Sequence, residues 1–202
     1  MNLNLNLNLS PNLTMTRRGA LAFLAATAGV ACLSVRPGLS LAAETELDTL
    51  LRLIGERLAV MPDVARHKYN SGAAVEDLPR EAQVIEAVTA QAVEAGLDKD
   101  LAAKFFQAQI DASKMIQAER IAAWKSENHA PFSDVPDLAA VIRPKLDALT
   151  PALLAALKDA LPELSLAGAA GRMEARAAGR AEDAAAFRRA VAPLAAAGLS
   201  PA

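Results

Sequence analysis

Residues 47–68 read LDTLLRLIGERLAVMPDVARHK, and this stretch decides the fold. Leu47, Leu50, Leu51, Ile54, Leu58, Met61, Val64 and Ala65 recur at steps of three and four, the buried stripe of an amphipathic helix. Two cations stand on that stripe. Arg57 lies three residues after Ile54 and four before Met61, and Lys68 lies four after Val64. Their separation is three helical turns to within about 20°, so both point inward. An unpaired buried cation costs several kcal/mol, so the pair demands internal acids or a bound anion. Pro62 is expected to kink the helix between them.

The remainder of the chain is built in the same way. Of its 202 residues 53% are hydrophobic and 3% aromatic, with Ala and Leu dominant and few β-branched runs. That composition predicts an all-α helical bundle with long first and third helices. The first helix is expected from Glu44 or Thr45 to about Tyr69, ended by Asn70-Ser71-Gly72. A second opens with Asp77 as N-cap and Pro79 in its first turn, carries Val84, Ile85, Val88 and Ala92 inward, and closes at Gly96. Asp98 caps a third that runs to about Glu127, and a loop covers 131–136. A fourth helical stretch carries Leu138 through Leu157, with Arg143 near its start and Pro144 and Pro151 bending it.

The two ends differ from the middle. Residues 1–42 contain no acid. Arg17-Arg18 precede an apolar run from Gly19 to Val35, and Ser40-Leu41-Ala42 offers a small-x-small exit, so 1–42 reads as a cleavable, twin-arginine-like signal peptide. Export by the twin-arginine or the general route then puts the protein in the periplasm or outside the cell. Without Arg17, Arg18 and Arg36 the remainder carries 18 Lys and Arg against 23 acids, a mildly acidic balance that disfavours nucleic acid as partner. The remainder also has no cysteine, so it stands on packing without disulfides. Residues 166–202 turn Ala-rich and read as a tail holding at most one short helix, around Phe187, Val191 and Leu194, and otherwise poorly ordered.

Polar groups recur on faces that should be buried: Arg57 and Lys68; Asp77, Arg80 and Glu81; Gln109, Ser113 and Gln117. Internal salt bridges, Lys68 with Asp77 and Arg57 with Glu81, are the plain explanation of each. Together, three cations against two acids leave an excess that suits a small dianion held between helices. His67 and His129 stand alone, with no metal-ligand spacing. No phosphate-binding Gly loop, nucleophile elbow or HExxH is present. An enzyme built on these residues would work by positioning and electrostatics.

ERLAVMPDVARHK, VEDLPRE and FFQAQIDASKMIQAERIAAWK together resemble the all-helical chorismate mutases, in particular their exported, periplasmic subclass. The spacing Arg-x10-Lys-x8-Asp-x2-Arg-Glu and the later Ser-x3-Gln carry the resemblance, which covers roughly residues 45–164 and marks 43–165 as the mutase domain. It implies an isomerase that rearranges chorismate to prephenate in aromatic amino acid biosynthesis, without cofactor or metal. It also implies a homodimer with each pocket inside one chain, free of the membrane once the leader is cleaved. Arg57 and Arg143 would bind the two carboxylates, with help from Arg80 and Ser113. Lys68 and Gln117 would flank the ether oxygen, and Asp77 and Glu81 would hold the ring hydroxyl and orient the cations. Arg143 is matched through Asp147 and the Leu146/Leu149 pattern. Gln117 stands where some members of the subclass have Glu, and the disulfide of some members is missing. Two alternatives remain: an isochorismate pyruvate lyase on the same fold, and a non-catalytic exported helical binding protein.

Overall fold

The computed structural model describes residues 44–197, and the expected signal peptide lies outside them. The described residues form helices only: α1 (Glu46–Ala59), α2 (Met61–Ser71), α3 (Leu78–Glu94), α4 (Lys99–Ser126), a π-helical turn (Leu138–Ile142), α5 (Arg143–Leu164), α6 (Ala169–Ala178) and α7 (Ala184–Ala197). None of these helices is long and apolar enough to cross a membrane.

The helix starts follow from short polar side chains that accept from otherwise unpaired backbone N–H groups. Thr45 Oγ1 takes the Asp48 N–H, Asp77 Oδ1 the Arg80 N–H at 3.2 Å, and Asp98 Oδ1 the Leu101 N–H at 2.7 Å. Gly72 ends α2 at φ 70, a left-handed conformation in which a side chain would be strained.

The expected kink is a break. α1 stops at Ala59 and α2 starts at Met61, with Pro62 in the first turn of α2. Proline has no N–H to return to Leu58. The chain passes Val60 on longer bonds instead, Val60 N–H to Arg57 O at 3.3 Å and Val64 N–H to Val60 O at 3.3 Å.

The 28-residue α4 is the spine, with α2, α3 and α7 packed along it, while α1 lies against α5. Phe105 and Phe106 meet edge to face at 5.3 Å in the centre of the core, and both are fully buried, as are Leu50, Ile54 and Leu157. Each such side chain contributes about 1.5–3 kcal/mol by leaving water.

The C-terminal segment departs most from expectation. Where residues 166–202 read as a loose tail with one short helix, α6 and α7 form two. Met173, Phe187, Val191 and Leu194 join the same core cluster as α1 and α4. The described residues, 44–197, belong to one compact unit. Alanine accounts for this: Ala177, Ala186 and Ala190 are buried and small enough to let helices approach closely. Gln109, expected among the inward polar groups, serves this packing by donating from Nε2 to Ala190 O at 3.0 Å.

Candidate active site

A cavity of about 160 Å³ opens between α1, α2, α3, α4 and the start of α5. Arg57, Lys68, Asp77, Arg80, Glu81, Ser113, Gln117 and Arg143 all line it, together with Lys114 and Asp147. Met61, Val64, Val84, Ile110, Leu138 and Leu146 supply apolar wall, which strengthens any charge interaction inside. Five cations face three carboxylates, an excess of two positive charges.

Arg57 comes from the last turn of α1. It is 7% exposed, and its Nε is buried without a hydrogen-bond partner. Burial lowers its pKa to about 10, with the negative charge of Asp147 pulling the other way. The Arg57–Glu81 bridge expected as the plain explanation is not formed. Glu81 Oε2 instead accepts from Lys114 Nζ at 2.9 Å, and its Oε1 accepts from the Asp77 N–H at 3.2 Å.

Lys68, from the last turn of α2, also lacks its expected partner. Its Nζ donates to Val75 O at 2.7 Å rather than to Asp77, whose carboxylate caps α3. Two of its three protons remain for a ligand. Burial lowers its pKa; Asp77 and Glu81 oppose that shift, and Arg143 and Lys114 add to it.

On the α4 wall, Gln117 is 5% exposed. Its Nε2 reaches only the Met61 sulfur, at 3.6 Å, and its Oε1 is buried and unpaired. A thioether is a weak acceptor, so the amide is poorly satisfied. Ser113 donates its hydroxyl proton to Gln109 O at 2.7 Å, which leaves lone pairs, not a donor, toward the cavity. Arg80 Nη2 pairs with Asp147 Oδ1 at 3.2 Å. Arg143 opens α5 directly after the π-helical turn, which Asp137 caps and the buried Ile142 anchors.

Lys114 and Asp147 were not singled out as site residues. Both had a signal: Lys114 adjoins Ser113 on the polar stripe of α4, and Asp147 follows Arg143 by one turn. His67 and His129 do not line the cavity. Among the described residues no cluster of His, Cys, Asp and Glu is arranged to hold a metal ion.

Residues 47–118 match the family described as Chorismate mutase type II. The chain is 38% identical over 100 residues to a secreted chorismate mutase of Mycolicibacterium smegmatis, covering 50% of this chain and 55% of that one. It is 36% identical over 117 residues to a monofunctional chorismate mutase of Enterobacter agglomerans, covering 57% and 62%. The chain thus spans somewhat over half the length of these two relatives. The crystal structure of a chorismate mutase from Burkholderia phymatum superposes with a TM-score of 0.69 at 31% identity, covering 74% of this chain and 97% of that one. With an all-helical fold and sequence likeness over nearly the whole of a solved member, the chain belongs to the type II chorismate mutase family.

Proposed function

We propose that the protein is a chorismate mutase that converts chorismate to prephenate. The observation that carries this reading is Arg57, a cation sealed in the wall of a cavity with excess positive charge and no acid paired to its buried Nε. A ligand carboxylate supplies what the protein withholds, and the excess of two charges suits a dicarboxylate.

The rearrangement is unimolecular and needs no nucleophile or proton transfer. It needs the substrate folded so that the bond-forming carbons meet. Arg57 and Arg143 grip the two carboxylates, with Arg80 beside them, and hold that compact conformer; such positioning lowers the barrier. Ser113 joins only by turning its hydroxyl away from Gln109 O. As the C–O bond lengthens, negative charge grows on the ether oxygen. Lys68 and the buried Nε2 of Gln117 donate to it, an interaction stronger in the transition state than in the substrate. Asp77 and Glu81 accept the ring hydroxyl, and Glu81 is steadied by Lys114.

Export agrees with the N-terminal sequence and with a relative named as secreted. The family resemblance makes the protein a homodimer with each pocket inside one chain, and Arg143 from α5 joins Arg57, Lys68 and Arg80 in lining the cavity of its own chain. Incubation with chorismate and, separately, isochorismate tests the reading. Prephenate from the first is expected. Salicylate and pyruvate from the second alone would make it a lyase, and ligand binding without product would make it a binding protein.

A further inference from the structure

Asp147 has no part in the roles given above, yet it lines the cavity. The other two lining acids are committed within the protein: Asp77 caps α3, and Glu81 holds Lys114. Asp147 alone pairs with a cation assigned to the substrate, at 3.2 Å from Arg80 Nη2. The pair is exposed, 65% on the Asp147 side chain and 40% on Arg80, and exposed pairs are weak enough to exchange. Asp147 sits one turn beyond Arg143 on α5, so its carboxylate enters from the same wall as that cation.

We propose that Asp147 is an internal competitor for the substrate: its carboxylate occupies Arg80 in the empty cavity, and an entering dicarboxylate must displace it. This rests on the mutase reading of the cavity. The competitor holds the Arg80 guanidinium and reduces affinity by the fraction of time it is seated. It also makes the site selective, because a ligand without a carboxylate for Arg80 leaves the Arg80–Asp147 pair intact.

The test is calorimetric titration of the full chain with a non-reacting bicyclic ether dicarboxylate shaped like the rearranging substrate. Four forms are compared: the unaltered protein, Asp147→Asn, Arg80→Gln and the double variant. Asp147→Asn should lower Kd about two- to fivefold, the range of an exposed ion pair. In the Arg80→Gln background the same change should have no effect, because the competition runs through Arg80. Looser or unchanged binding in Asp147→Asn overturns the proposal by making the aspartate a buttress or a bystander. Tightening that persists without Arg80 also overturns it, by reducing the effect to general charge repulsion. If the unaltered protein neither binds the dicarboxylate nor consumes chorismate, the mutase reading fails and the competitor fails with it. Binding that is indifferent to Asp147 removes the competitor alone.

Discussion

Lys68 shows at the scale of one residue how the site is charged. Its ammonium is half-buried and held by a single backbone carbonyl, so its proton is less secure than that of a surface lysine. The role proposed for Lys68 needs the protonated form. The alkaline limb of kcat/KM, which reports the free enzyme, should therefore begin below the ordinary lysine value of 10.5. In kcat that limb should move upward, because a bound dianion favours the ammonium. A pH–rate profile checks both. Replacement by alanine removes the proposed donor to the ether oxygen, worth about 3–4 kcal/mol; turnover should fall at least a hundredfold, whereas a loss under tenfold would contradict the role. Gln117→Glu must carry a proton to donate, so that variant should work at acidic pH and fail near neutrality. Arg57, Lys68 and Arg80 were legible from helical spacing, Arg143 only through the family resemblance, and Lys114 not at all. The partners of these cations were not legible either. Spacing fixes the face on which Arg57 and Glu81 lie, but side-chain reach across the gap between helices decides which carboxylate meets which cation, and Lys114 reached Glu81 first.

Among the elements, the C-terminal helices carry more than their composition suggests. Phe187 is fully buried against the α4 side of the core, and Phe187→Ala should cost about 3–5 kcal/mol, a large part of an ordinary domain's stability. Urea denaturation measures it; a loose tail would show no change. α6 is also tied to the start of α1. Arg172 Nη2 meets Glu163 Oε2 at 2.6 Å, and Glu163 Oε1 accepts the Glu46 N–H at 2.9 Å. The Arg172 bond holds the Glu163 carboxyl below its ordinary value of 4.5. A depressed carboxylate stabilises the fold above its unfolded pKa and loses that contribution as pH falls through the folded one. Melting of Glu163→Gln should therefore lie below that of the unaltered protein at pH 6, with the gap closing as pH drops below about 4.5. The caps Asp77 and Asp98 and the Pro62 break were readable because each is a local chemical event. Phe187, Val191 and Leu194 show helical spacing too, but among so many alanines nothing in the sequence said that the face would be covered, or by what.

For the whole molecule, a bundle with α4 as its spine gathers into one cavity cations from α1, α2, α3, α4 and α5 that lie far apart in the chain. On the proposal that each pocket lies inside one chain, turnover per chain should stay constant when the protein is diluted through any dimer dissociation. A site shared between chains would lose specific activity on dilution. The architecture was legible because apolar spacing and capping agree along most of the chain, and the family resemblance added the site. The most direct measurement is a crystal structure with the bicyclic ether dicarboxylate bound. It should show the Arg57 guanidinium on one carboxylate and Lys68 Nζ within hydrogen-bond distance of the ether oxygen. A ligand seated elsewhere, or one touching neither side chain, would contradict the account.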